Sequence, residues 1–395
     1  MTNLTDQMKR IKPGWLFYAG IAGLILFECL NIYFIMPFPG SQRINSLDLA
    51  YFLYSKRWLF RSGLALLIIT GFPFILKMNR RWWIPVVSMA AAAAVTTVIN
   101  VRMTADKMFR QAKDLHFSSS ADNKLPVESI VIVVAEADEV KGYPVRYISY
   151  HHQVVDTIGG QPRMITYCNV CRTGRTYEPK VKGNPEQFRL VGMDHFNAMF
   201  EDATTGSWWR QVSGEAVEGP LKGEKLNDIF CRQMTIEQLF RQYPDAVVMQ
   251  ADENYKEKYD TLGKFEEGRS ESHLTRTDTT SWKDKSWVIG LEYHDDSKAY
   301  DWNELKKRRV INDQIGDVPV AIVLSADGNS FFAFERDALY ENMTLSNDTI
   351  FYRNRAYDIT GRPLADASGN LVLISAFQEF WHSWRTFHPF TMQYP

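Results

Sequence analysis

Three long apolar runs open the chain, Trp15 to Met36, Trp58 to Leu76 and Trp82 to Val101. Each has the roughly 20 residues that a helix needs to cross a hydrocarbon core. Aromatic residues (Trp15, Tyr33, Phe34, Trp58, Trp82, Trp83) stand at their ends, as interfacial belts do. The pattern predicts a three-helix transmembrane anchor over 1–101, with spans at about 15–36, 58–76 and 82–101. The first run lacks a small-residue cleavage site, so it does not read as a signal peptide. Glu28 falls near the outer end of that span, where snorkelling to the interface accounts for a carboxylate. A helical pattern continues from Met103 to Leu115 until Ser118-Ser119-Ser120 and Pro126 break it. Residues 102–126 read as a stalk and linker.

From Ser129 the period shortens. Ile130–Val134 is a continuous apolar run, as in a strand buried on both faces. Met164–Tyr167, Phe188–Val191, Val247–Met249, Val320–Leu324 and Ser330–Phe334 also read as strands. Helices are expected at about Val145–Val154, Thr235–Tyr243, Trp302–Arg309 and Ser375–Phe387, the second with a capping box of Thr235 and Gln238. The mixture predicts an α+β fold, β-rich after the helical anchor.

The strand region repeats itself at a shift of 157 residues. Val131-Ile132 matches Val288-Ile289, Lys141 and Tyr143 match Lys298 and Tyr300, and Asp156, Ile158, Gly159 and Pro162 match Asp313, Ile315, Gly316 and Pro319. Residues 127–250 and 288–395 read as two related halves joined by a polar connection over 251–287. Cys168 falls on Ser325, Cys171 on Gly328, and His151-His152 on Arg308-Arg309. What the halves share is scaffold, so chemistry is expected among the residues that only the first half has.

Composition narrows the function classes. With 45 Lys+Arg against 46 Asp+Glu, the net charge of -1 gives no bulk field for a nucleic acid. Four cysteines are too few for a disulfide-built scaffold. Lys9, Arg10, Lys12, Lys77, Arg80 and Arg81 outnumber Arg43, Lys56, Arg57 and Arg61 on the opposite loop. That bias predicts a cytoplasmic N-terminus and an extracytoplasmic soluble part at a bacterial inner membrane, although Arg102, Lys107, Arg110 and Lys113 oppose it. The bilayer is the expected partner, with a membrane-protein or metalloprotein partner also open.

The strongest motif is Thr166-Tyr167-Cys168-Asn169-Val170-Cys171-Arg172-Thr173-Gly174-Arg175. Cys-x-x-Cys at a strand's end has three readings: metal ligands, a redox dithiol or a structural disulfide. Arg172 and Arg175 offer a positive field for a thiolate. His152, His195 and Met193 are candidate further ligands, soft or borderline donors that suit copper, or zinc, beside two thiolates. Met193 has the alternative of core filler, and His195 that of a hydrogen-bonded turn residue. Trp208, Trp209, Arg210 and Gln211 offer walls for a ligand pocket; equally, adjacent tryptophans on a strand point to opposite faces. Cys231 reads as a buried thiol and Cys29 lies in the first span. His382 and His388, in the aromatic C-terminal run, are minor candidates.

These motifs carry a resemblance. His152 with Asp156, Gly159 and Pro162, then Thr166 to Cys171, then Gly206 to Leu221, and finally Phe380-Trp381, Trp384 and Phe387-His388-Pro389 look like the prokaryotic family catalogued as domain of unknown function 3179. The similarity covers about Leu125 to Pro395 and implies that domain in an extracytoplasmic setting; it implies no activity. Asn169 stands where many members have Pro, which departs from redox Cys-Pro-x-Cys sites. The leading expectation is a membrane-anchored domain that binds copper, or another transition metal, through Cys168, Cys171 and His152 with His195 or Met193. The alternatives are a thiol–disulfide oxidoreductase and a non-catalytic binding module.

Overall fold

The computed structural model describes residues 14–76, 81–365 and 369–395. The orienting charges Lys9, Arg10, Lys12, Lys77 and Arg80 lie outside them. Three helices long and apolar enough to span a membrane come first: α1 (Trp15–Tyr33), then, after a short helix α2 (Leu47–Ser55), α3 (Arg57–Leu76) and α4 (Trp83–Arg102). The sequence pattern did not separate α2 from its surroundings. The expected helical stalk is also corrected: between α4 and Pro126 only Ala105–Met108 is helical.

Glu28 does not snorkel. It is fully buried, takes two bonds from the Arg61 guanidinium (2.7 and 2.9 Å) and a third from Asn100 Nδ2 (2.9 Å). Arg61 also donates to Asn100 Oδ1 at 2.7 Å, so one polar cluster ties α1, α3 and α4 together. Without water to take their place, such partners must come from neighbouring helices.

The remainder is β-rich and duplicated. The first half runs β1 (Ile130–Glu136), β2 (Glu139–Pro144), α5 (Val145–His151), β3 (Gln153–Ile158), β4 (Gln161–Cys168) and β5 (Thr173–Tyr177). An inserted sheet follows: β6 (Phe188–Asp194), β7 (Asn197–Asp202), β8 (Trp208–Arg210) and β9 (Ala216–Glu218), all antiparallel. The half closes with β10 (Arg232–Thr235), α6 (Ile236–Gln242) and β11 (Val247–Met249). Thr235 Oγ1 caps α6 by accepting from Gln238 N at 3.1 Å.

The second half has β12 (Trp287–Tyr293), β13 (Asp296–Asp301), α7 (Trp302–Arg308), β14 (Val310–Ile315), β15 (Val318–Leu324) and β16 (Phe331–Glu335). From β12 to β14 every boundary lies 157 residues after its counterpart. It ends in β17 (Ala376–Phe380), α8 (Trp381–Phe387) and β18 (Met392–Gln393). The sequence pattern predicts one helix over 375–387; instead its first residues pair with β12. Both halves order their main sheet alike. β10 and β17 add antiparallel to β1 and β12, and β11 and β18 add parallel to β2 and β13. The shared lysine serves one purpose in both: Lys141 pairs with Asp156 and Lys298 with Asp313.

Candidate functional site

Cys168 ends β4 and Cys171 stands in the turn before β5, which Arg172 completes in a left-handed conformation (φ 56°). Both sulfurs are wholly buried and unbridged. Each thiol faces the same acceptor, the Phe196 carbonyl, at 3.4 Å. Phe196 belongs to the β6–β7 turn, where His195 and Phe196 both hold positive φ (49° and 70°). Two successive non-glycine residues in that region are strained, a feature that concentrates at functional sites.

The two thiols differ. Burial pushes both up. At Cys168 this is outweighed by a hydrogen bond from Cys171 and by backbone N–H groups of Ala198, Cys171 and Val170, which hold its pKa below the usual thiol value. Burial and the neighbouring Cys168 drive Cys171 well above it. The first sulfur is therefore the more acidic, stabilised by a nest of amides.

Arg172 and Arg175 do not supply that field. Arg172 is buried, donates to Gln378 Oε1, Phe265 O and Glu266 O (3.0–3.1 Å) and stacks on Trp287. Arg175 pairs with buried Glu379 at 2.7 Å and stacks on Phe377. Both guanidiniums are spent joining the first half to the second half and to the segment before it.

The cation beside the thiols is Lys285. Its Nζ donates to the carbonyl of Val170, between the two cysteines, at 2.8 Å and lies 3.0 Å from His382 Nε2. Burial lowers Lys285 to about 8 even though both cysteines pull it up. His382 also faces Val170 O (3.1 Å); burial and then Lys285 lower it to about 3, so it is neutral at physiological pH. Lys285, His382 and Phe196 border a cleft of about 950 Å³ that also takes in His195, Arg276 and, from the segment between α1 and α2, Phe38 and Arg43. A cleft with perturbed titratable groups on its wall is where chemistry is to be sought.

The other expected ligands lie elsewhere or are occupied. His152 caps α5 in the left-handed region (φ 59°), and its Nδ1 faces the Tyr167 carbonyl at 3.0 Å. Arg309 occupies the same place after α7 and donates to the equivalent Leu324 carbonyl. His195 lines the cleft with its Nδ1 2.6 Å from Asp194 Oδ1, a bond that raises its pKa. Met193 is buried, and its backbone N donates to Ile35 O at 2.7 Å. Among the described residues no three His, Cys, Asp or Glu side chains are grouped to hold a metal ion.

The expected pocket wall is also filled. Trp209 donates to Asp202 in the core. Trp208, on the opposite face, donates to Glu201 and is covered by Tyr51 and Tyr54 of α2, ring centroids 5.0 and 5.3 Å away. Arg210 binds Asp194, and Gln211 ties Asn197 to Thr166. Trp208 and Gln211 thus lock the inserted sheet to α2 and β4, while Trp209 and Arg210 tie its own strands together.

The sequence over 112–391 matches the model for "Protein of unknown function (DUF3179)". The chain belongs to this family. Searches of curated proteins and of solved structures give no match. In this DUF3179 chain the residue that sequence reasoning missed is Lys285, which ends a stretch whose polarity reads as a connection. The minor candidate His382 proves to be its neighbour. Their only signal was charge and aromaticity at 115 and 212 residues from Val170.

Proposed function

We propose that this DUF3179 chain is a membrane-anchored dithiol–disulfide redox protein, with Cys168 and Cys171 as the reacting pair. The observation that carries the reading is the convergence of two unbridged sulfurs on the Phe196 carbonyl, under a cleft whose wall holds Lys285 and His382. In the oxidising direction the Cys168 thiolate and the Cys171 thiol form one S–S bond. Two electrons leave to an acceptor, and the remaining thiol proton leaves through Lys285, whose amine exchanges protons near neutral pH. We further infer, from the charge bias flanking the spans, that the N-terminus is cytoplasmic and the pair works on the outer face of a bacterial inner membrane.

The test is a redox titration of the purified full chain in glutathione buffers, read by mass after thiol labelling. A Cys168–Cys171 bridge with a midpoint between about -270 and -120 mV supports the reading. Thiols that stay reduced, or a bridge that never opens, overturn it.

A second reading is favoured by the same convergence: copper(I), which soft thiolates select, held by these two sulfurs. His152 and His195 have their Nδ1 atoms engaged elsewhere, and among the described residues no third His, Cys, Asp or Glu is grouped with the two sulfurs. Metal analysis of the full chain beside the thiol count decides it; one copper per chain with both thiols masked favours copper.

A further inference from the structure

The cleft over the thiols is not the end of the cavity system. A groove of about 470 Å³ opens between α1 and α4, lined by Cys29, Ile32, Tyr33, Val95, Val98 and Met103, with almost no polar surface. Phe38 lines both groove and cleft. An apolar slot at the level of the spanning helices thus lies against a polar chamber beside the sulfurs, with the Phe38 side of each in common. The chamber carries Arg43, Lys285, His195 and His273, while Arg385 is paired with Asp284 at 2.5 Å. Apolar tail space joined to a polar head space is the shape of an amphiphile's site.

The thiols add a chemical constraint. Both are fully covered, by the His195–Phe196 turn on the cleft side, and Gln42 Oε1 holds that turn by accepting from Phe196 N at 3.1 Å. The face of a folded protein bearing a disulfide cannot follow them under this turn. A small planar two-electron acceptor entering the cleft needs only a displacement of the turn, whose two left-handed residues already store strain.

We infer that groove and cleft form one quinone site, with the ring in the cleft toward Cys168 and the isoprenoid tail between α1 and α4. This rests on the redox reading above. The exchange balances. Two thiols lose two electrons and two protons and become one disulfide; the quinone gains both and becomes a hydroquinone. Lys285 and His382 stand where a ring oxygen would take its hydrogen bonds and a proton.

The experiment uses the full chain in detergent, fully reduced, mixed without oxygen with a short-chain ubiquinone or menaquinone. Free thiols and hydroquinone are counted together. The expected result is loss of two thiols per hydroquinone formed. Ala94 also lines the groove, and Ala94→Trp, which fills it, is expected to slow that reaction about tenfold or more by denying the tail its burial. Leu66→Trp, on the exposed face of α3 away from the groove, is expected to leave it unchanged. Oxidation by glutathione disulfide but not by quinone, or quinone oxidation indifferent to Ala94→Trp, overturns the quinone site and leaves the redox reading standing. Failure of every oxidant to form the bridge overturns both.

Discussion

The two halves of the β-rich region were given one backbone and put it to different uses. After β4 the chain carries Cys168, Val170 and Cys171, and the turn places its left-handed residue at Arg172. After β15 it carries Ser325, Asp327 and Gly328, and the left-handed residue is Gly328, one position earlier by the 157-residue register. There the side chains close on local partners: Ser325 donates to Asp348 at 2.9 Å, and Asp327 accepts from Asn329, Ser330 and Thr235. In the first half the same turn leaves its sulfurs facing one carbonyl and draws Lys285 and His382 in from afar. The two turns thus differ in where their hydrogen bonds end. The capping residues teach the opposite lesson: His152 and Arg309 differ in type, yet each faces the carbonyl at the same register position of the neighbouring strand, Tyr167 and Leu324, so a residue unique to one half is not thereby chemical.

The sharpest way to test this contrast is to make the cysteine turn resemble its counterpart. Cys168→Ser/Cys171→Ser is expected to abolish all redox cycling while the far-ultraviolet circular dichroism stays native. Unfolding of the double variant would show that the sulfurs belong to the core rather than to a site.

Next in size is the joint between the halves. Glu379→Ala strands the buried Arg175 guanidinium and is expected to cost about 3–5 kcal/mol in denaturant unfolding, as when one partner of a buried pair is removed. A loss under about 1 kcal/mol would mean that water reaches the pair.

His152→Ala is predicted to cost about 2 kcal/mol, from the lost bond to Tyr167 and the space left by a wholly buried imidazole. Thiol potential and metal content should not move. A changed potential would return His152 to the site.

The most gradual effect is a slope. Lys285 titrates near 8 when folded and near its ordinary 10.5 when unfolded, so between those values the unfolded chain holds more protons. Folding should therefore strengthen as pH rises from about 8 to 10.5, by at most about 1.4 kcal/mol per pH unit. Lys285→Met should flatten that window in thermal melts taken across it. His152 and His382, lowered by burial to about 4 and 3, act at the acid end. Their contribution is complete above 6.5 and is lost as pH falls below it.

Periodicity carried much of the fold. The three spans appear within a few residues of their predicted ends, because length and apolarity are local properties. Strand assignments such as Ile130–Val134 rest on equally local patterns. Of the elements that escaped, two show the physical reason plainly. Leu47–Ser55 is a short helix whose tyrosines are explained only by Trp208 far along the chain. Ala376–Phe380 is aromatic enough to pass for the start of a helix until β12 pairs with it. Of the site, the cysteine pair is legible and its surroundings are not. Lys285 and His382 reach Val170 by tertiary packing, and no spacing rule links them to it. The arginines next to the motif were the natural choice for a positive field, and packing turned both away.

The tyrosines of α2 on Trp208, with Gln42 on the Phe196 turn, have a consequence for encounter. A domain hung from a loose linker sweeps a wide volume and can reach partners well away from its helices. Here the segment between α1 and α2 is itself one wall of the cleft, so the cysteine pair keeps a constant height just above the helix ends. Molecules confined to that layer meet it by diffusing in a plane, while those in the bulk must descend to it.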